Sequence, residues 1–341
     1  MKIEEYRNTG NYLWETKKYC YKDWKFTLSC NSCFTSDYLH AYLKTYFEED
    51  NSFENNNWHI WVIVDNKLYS DFVSELDKEE DIEYCIWQEA TGCITIENKI
   101  HTERWHIAKE TMNHLGLMQD VYCRIRRTCI SYIEKQYKLL LFHAACVSKD
   151  EEACIVLGDK GMGKSYLTNH LLYRKGWSYV AADHTIVVCN EDGILESRGN
   201  ITSYRMEEKD FVLYQLKGRN EIISYRKDDN YVHRAGKINI PPSYLEDYFQ
   251  IQWRQNVPLK TVLIITDIKY EINKMGTEEK INLLSKYLIH DLGNDEAGKK
   301  EYDREVVVYI LRQIINNCNI YSVAKGYSFD KLYQEVFKES C

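Results

Sequence analysis

Apolar residues along the chain fall into short dense runs and spaced ladders, and the two patterns predict different elements. WKFTLSC (24–30) and WHIWVIV (58–64) are short and rich in aromatic and β-branched residues, which predicts strands. SDYLHAYLKTYF (36–47) reads as a short helix with Ser36 as its N-cap. CITIENKIHTERWHIA (93–108) predicts two strands joined by a turn near Asn98. Val121, Ile125, Cys129 and Ile133 then recur every four residues, one face of an amphipathic helix that ends before Lys138.

The pattern changes beyond that helix. LLLFHAACV (139–147) reads as a strand run, KDEE (149–152) as a charged turn and ACIVLG (153–158) as a second strand. KSYLTNHLLYRKG (164–176) predicts a helix. Leu167, Leu171 and Leu172 would face the sheet, Arg174 and Lys175 would suit its negative end, and Gly176 would stop it. WSYVAADHTIVVC (177–189) and KTVLIITDI (260–268) read as further strand runs, and TEEKINLLSKYLIH (277–290) as a helix. REVVVYILRQIINNC, IYSVAKG and SFDKLYQEVFK close the chain as helix, strand and helix. This predicts a smaller α+β domain over 1–137 and an α/β domain over 138–341.

Composition narrows the function classes. A net charge of −8 argues against a large basic nucleic-acid surface. No uncharged apolar stretch approaches the roughly 20 residues of a membrane helix, and the opening MKIEEYRNTG carries acids where a signal peptide needs an apolar core. The expectation is a soluble cytoplasmic protein without membrane partners. The 12 cysteines are scattered, and Cys146, Cys154 and Cys189 sit inside apolar runs, which suits buried free thiols. Cys30 and Cys33 form a lone CxxC without a second pair, a weak signal for metal or redox use.

The chemistry concentrates in VLGDKGMGKSYL (156–167). Gly158, four residues, Gly163, Lys164 and Ser165 have the spacing of a P-loop, between a strand and a helix as that motif requires. Gly158, Asp159, Lys160, Gly161, Met162, Gly163, Lys164, Ser165 and Tyr166 make up the nucleotide-binding candidate. Gly161 and Gly163 would turn backbone amides inward as a nest, and the helix start would add its positive end. Lys164 would reach the β- and γ-phosphates, and the Ser165 hydroxyl would complete a Mg²⁺ shell. No Asn/Thr-Lys-x-Asp guanine signature stands at a fitting place, so ATP is the expected nucleotide. Two acids end strand runs. Asp267 is followed by Ile268, which leaves no base to polarise water. Asp183 follows the P-loop helix by one strand, and a neighbouring parallel strand would bring it beside the phosphates. His143, in FHAA, could be carried to the same place by a hairpin.

The ordered set FHAACV, EACIVLGDKGMGKSYLTNHLLYRKG and WSYVAADHTIVV resembles the catalytic core of the HPr kinase/phosphorylase family and its relatives over roughly residues 141–190, with a weaker likeness in KINIPPSYLEDYF and PLKTVLIITDI. The resemblance implies an HPr kinase/phosphoenolpyruvate carboxykinase-like P-loop kinase domain that uses ATP and Mg²⁺. It implies transfer of the γ-phosphoryl group to a hydroxyl of a protein, peptide or small molecule. Carried over by residue, Lys164 and Ser165 take the phosphate and metal roles, Asp183 is base and metal ligand, and His143 is the histidine near the γ-phosphate. His184 stands where the family has a second aspartate, and no segment matches the phosphocarrier-recognition loop. An imidazole is no electrostatic substitute for a carboxylate on Mg²⁺, so an ATP-binding regulatory module without transfer, or an ATPase, stays open beside the kinase. The aromatic-rich N-terminal region could present the acceptor, Arg198, Arg205 and Arg234 could hold an acidic group on it, and the family's habit of oligomerising hints at a homo-oligomer.

Overall fold

The computed structural model describes residues 12–21, 23–54, 57–74, 84–89, 92–98, 102–112, 114–190, 193–216, 237–290 and 302–337. The opening decapeptide and Arg234 lie outside the described residues. The described residues divide into two units, one ending at Cys129 and the other beginning at Ile130.

The first unit comprises β1 (Glu15–Tyr21), β2 (Trp24–Cys30), α1 (Cys33–Leu43), β3 (Glu48–Glu49), β4 (Trp58–Val64), α2 (Asn66–Val73), β5 (Tyr84–Gln88), β6 (Ile94–Asn98) and β7 (Glu103–Ala108). Helix α3 (His114–Gln136) carries the chain onward. One mixed sheet runs in the order β3-β1-β2-β4-β7-β6-β5. β2, β4 and β7 are parallel at its centre, because the connections between them are long enough to cross over, and the flanking hairpins are antiparallel. Alternation along the strands puts Trp61, Ile63, Trp105 and Ile107 on one face, packed with Leu68 and Phe72 of α2. The rings of Trp61 and Trp105 stack across β4 and β7 at 4.9 Å.

One expectation for this unit changes. Helix α1 begins earlier than its apolar pattern suggested, and the cap is Ser32, whose side chain accepts from Thr35 N. Ser36 is buried inside the helix; the residue that serves the first free amides is the one just before the turn begins. The arginines of α3 turn toward the unit's interior. Arg124 pairs with Glu89 at 2.9 Å and Arg126 is buried. Burial, then the neighbouring Arg124, lowers Arg127 to about 10.

The second unit comprises β8 (Lys138–Phe142), β9 (Ala145–Lys149), β10 (Glu152–Gly158), α4 (Lys164–Lys175), β11 (Ser178–Ala181), β12 (Thr185–Cys189), β13 (Leu195–Gly199), β14 (Tyr204–Glu207) and α5 (Glu208–Leu213). It continues with β15 (Lys237–Ile240), α6 (Tyr244–Phe249), β16 (Val257–Thr266), a 3₁₀ turn (Ile272–Lys274), α7 (Thr277–Ser285), α8 (Arg304–Asn317), β17 (Asn319–Ala324) and α9 (Phe329–Val336). Its main sheet runs β11-β9-β10-β16-β13-β12-β8, with β17 paired to β16. β10, β16 and β17 are parallel. β9 and β10 form a hairpin through Asp150 and Glu151, both at positive φ, as the strand twist favours. Ile155, Leu157 and Ile264 pack with Ile310, Leu311 and Ile314 of α8 in the core. Helix α7 stops at Ser285, short of the predicted His290, because the chain there turns to bridge β8 through Leu288.

Two predicted strand runs are each two strands. LLLFHAACV breaks at His143 and Ala144 into β8 and β9, and WSYVAADHTIVVC breaks at Ala182–His184 into β11 and β12. β8 pairs with β12, whereas β9 pairs with β10 and β11. Both chains thus leave one set of pairings and enter another at the same level. Buried strands are apolar on both faces, so no alternation in the sequence marked the change.

Among the described residues no helix is long and apolar enough to cross a membrane. Cys30, Cys33, Cys146, Cys154 and Cys189 are free thiols. Cys30 is fully buried, which pushes its thiol well above its ordinary value, while Cys33 is exposed. No group of three His, Cys, Asp or Glu side chains placed to hold a metal occurs among the described residues.

Candidate functional site

Strand β10 runs into the glycine loop at Gly158. There the backbone passes so close to β16 that an added Cβ would lie 2.8 Å from the Ile265 carbonyl oxygen. Gly161 and Gly163 follow at φ 83° and 102°, the left-handed region that turns successive amides to one side. Added Cβ atoms there would meet nothing within 4 Å, so there is open space beside both glycines. Helix α4 begins at once with Lys164 and directs its positive end at the same space. Lys164 is buried and lies across the loop, its Nζ donating to the carbonyls of Gly158 and, at 3.3 Å, Asp159. Asp159, Lys160, Ser165 and Tyr166 are exposed around this rim, with Met162 half-buried between them. The Tyr166 ring packs on His170 one turn along α4. Leu167, Leu171 and Leu172 are buried, and Gly176 closes the helix in the left-handed conformation, as its sequence predicts.

The paired strand breaks bring the other candidates to the same edge. Antiparallel pairing places Ala145, the first residue of β9, opposite Val156 near the end of β10. Across the break, Ala144 N donates to the Asp183 carbonyl at 3.2 Å, and Thr185 Oγ1 donates to the Ala144 carbonyl at 2.9 Å. His143 N is held by the Tyr287 carbonyl at 2.8 Å. Asp183 adopts φ 59°, a turn conformation that a short polar residue tolerates better than most. β11 is not the immediate neighbour of β10, as the sequence reading supposed: β9 lies between them, and β16 is the parallel neighbour. Asp183 gains its place through the bend it shares with His143. Asp267 follows the end of β16 on the other side of the loop.

The charges of this edge act on one another. The His143 ring is open to solvent, yet its pKa lies below the ordinary value. Partial burial is the first cause and Lys164 the second, with Asp183 and Asp159 opposing and Arg205 adding to the depression. His143 is therefore a neutral imidazole at pH 7. Arg205, on β14, donates from Nη1 to Asp183 Oδ2 at 3.1 Å. From the sequence Arg205 is only a possible anion holder, and nothing local reveals this pairing because β14 reaches Asp183 through the fold. Arg198 proves to be a buried residue of β13, only 2% exposed, contrary to the surface role that arginine usually takes. The backbone contribution of Tyr287 carried no signal in the sequence, since any residue could supply that carbonyl.

No family model matches the chain, and no curated protein matches it. Among solved structures it is similar to the Hpr(Ser) kinase/phosphatase from Coxiella burnetii, at 14% identity and a TM-score of 0.27, over 58% of this chain and 87% of that one.

Proposed function

We propose that the second unit binds ATP and transfers its γ-phosphoryl group to a hydroxyl of a peptide, protein or small molecule. The observation that carries this reading is the convergence of His143 with Lys164 and Asp183 at one loop edge, where both their charges act on its ring. Phosphoryl transfer asks mainly for positioning and charge stabilisation, and this edge supplies both. The open amides of the glycine loop would hold the β-phosphate. Lys164, released from the loop carbonyls it now contacts, would move onto the β- and γ-oxygens. Asp183 would take the proton of the incoming hydroxyl. His143, neutral and beside the lysine, would donate a hydrogen bond to a γ-oxygen without adding a second full charge. The donors also suit Mg²⁺: Ser165 presents an exposed hydroxyl in the first turn of α4 and Asp183 a carboxylate, a small set that leaves positions for phosphate oxygens and water. When bound, the ion would neutralise charge on the phosphoryl oxygens. The first unit, with its aromatic-rich sheet, is assigned to acceptor recognition.

A second reading, nucleotide binding without transfer, draws on one observation: Asp183 is already matched by Arg205. One experiment separates the two. Incubation with γ-labelled ATP and cell extract should move label into a protein, peptide or metabolite fraction. Lys164→Ala should cut that transfer by about two to three orders of magnitude, the loss of one preorganised contact worth roughly 3–4 kcal/mol. ATP that binds without label reaching any fraction refutes transfer and leaves the binding module.

A further inference from the structure

Strand β17 has one free side. It pairs with β16 along the other, and among the described residues no further strand joins it. Lys325 N donates to the Thr266 carbonyl at 2.7 Å, and backbone groups along a strand point to alternate sides. Tyr321 and Val323 therefore direct their amides and carbonyls at β16, and Ile320 and Ser322 direct theirs at the free side. The Tyr327 amide fits this phase, since it donates to the outward carbonyl of Ala324 at 3.1 Å. A cavity of about 610 Å³ touches Ile320, Tyr321, Ser322 and Val323. Successive side chains of a strand point to opposite faces, so a cavity in contact with four residues in a row lies along the edge itself.

Two walls flank that edge. Helix α9 supplies one, through Leu332 and Val336, and it packs on α4, with Phe329 against His170 at 4.9 Å. The chain past β16 supplies the other, residues 269–274, and Ile272 anchors it in the core of α7 and α8. The floor is a row of free backbone donors and acceptors, and an unguarded strand edge invites pairing with another chain. A second folded copy fits poorly, because its own β17 lies between the same two walls. The four floor residues span about 13 Å, and with a wall about 10 Å to either side the footprint is roughly 250 Å². That is about a third of the roughly 800 Å² per partner of a stable interface, and suits a single extended segment. The charges of the walls cancel, Lys269 with Glu335 at 3.6 Å and Lys274 with Glu271 at 2.6 Å, so the complementary segment is uncharged. Its side chains would alternate between the aliphatic wall of α9 and the polar wall that carries Tyr270 and Asn273.

We propose that this edge binds an extended, uncharged peptide segment of alternating aliphatic and hydroxyl side chains, taken up as an added strand beside β17. The binding does not depend on phosphoryl transfer. The probe is a dye-labelled, amide-capped hexapeptide of alternating Val and Ser, titrated into the full chain by fluorescence anisotropy. A peptide of three Ser followed by three Val is the control. The alternating peptide should bind below about 1 mM and at least about tenfold more tightly than the control. Site-resolved hydrogen exchange should show the Ile320 and Ser322 amides slowed by about tenfold or more on binding, with Tyr321 and Val323, already bonded to β16, unchanged. Ile320→Pro removes an outward amide without breaking the β16 ladder, and Val336→Arg places a charge in the aliphatic wall. Each should weaken the peptide by about tenfold or more while β16 amides keep their native protection. No binding of the alternating peptide, equal binding of the two peptides, or binding that leaves Ile320 and Ser322 unslowed overturns the proposal. So does undiminished binding in Val336→Arg, a half-buried position that carries the test even where the proline disturbs the strand.

Discussion

Gly158 and Gly161 are both loop glycines, yet methylating each should have opposite consequences. At Gly158 an alanine Cβ would sit 2.8 Å from the Ile265 carbonyl oxygen, 3.3 Å from Ile265 Cβ and 3.4 Å from Met162 Cβ. Ile265 belongs to a strand paired on both sides, with Gly158 of β10 and Val323 of β17, so its carbonyl has nowhere to retreat. The backbone at φ 154° adds strain for any residue with a Cβ. Taking about 1–3 kcal/mol for overpacking and about 1–3 kcal/mol for the conformation, Gly158→Ala should cost roughly 2–6 kcal/mol. At Gly161, with φ 83° and nothing within 4 Å of an added Cβ, only the backbone cost remains, about 1–2 kcal/mol. The open space a methyl would enter there is where the phosphate is proposed to lie.

Hydrogen exchange resolved by segment separates these effects, because it reads β10 and β16 without assuming that the two units unfold together. Gly158→Ala should speed exchange of the β10 and β16 amides by roughly 30-fold to 10⁴-fold, and Gly161→Ala by at most about 30-fold. Tripolyphosphate binding should fail in Gly161→Ala at near-native protection. Equal exchange in the two variants would refute the account of Gly158 as a packing residue. Undiminished binding in Gly161→Ala would refute the open side of the loop as the phosphate seat.

Three further outcomes are expected. By NMR, the His143 imidazole should titrate below its ordinary value, Lys164→Met should raise its midpoint and Asp183→Asn should lower it further; shifts of the same sign, or none, would separate residues that the fold brings together. His106 is fully buried, and burial, then Arg104, holds its pKa well below the ordinary value. It is neutral when folded, whereas the unfolded imidazole takes a proton near pH 6.5; stability of the first unit should therefore fall as pH drops through that value, with a shallower slope in His106→Phe. Arg104 donates from Nε and Nη2 to Glu97 at 3.1 and 2.8 Å and is buried against Trp58, so Glu97→Ala should destabilise by about 3–5 kcal/mol in urea unfolding, and Glu97→Leu with Arg104→Met should recover most of it.

Much of the fold was legible because its elements obey local rules. The face of α3 appears as Val121, Ile125, Cys129 and Ile133, all buried, and α4 ends at the glycine that its last-turn cations announce. The glycine loop was legible for a stronger reason, since glycine is favoured where φ is positive. What stayed hidden depends on pairing between distant segments. LLLFHAACV is apolar on both sides of His143, so its pattern is the same whether it forms one strand or changes partners there. Ser32 and Ser36 are chemically equivalent caps, and the choice between them follows from where the chain leaves β2.

The shared break explains how a histidine and an aspartate so far apart in sequence reach one loop. Had LLLFHAACV continued as a single strand, His143 would be one more side chain alternating along it, with its amide committed to a neighbouring strand. At the break its amide turns instead to Tyr287, and the next residue, Ala144, binds the carbonyl of Asp183. The same interruption forces Asp183 out of its own strand at φ 59° and leaves its carboxylate outside the ladder, where Arg205 meets it. An exposed pair of this kind is worth at most about 1 kcal/mol. That is too little to hold Asp183 against a phosphate-bound metal or an acceptor hydroxyl, and enough to keep the carboxylate oriented until one arrives. The second reading of the site requires Arg205 to be a permanent partner, whereas the proposed transfer requires its half-exposed contact with Asp183 to open and the guanidinium to turn toward the incoming anionic groups.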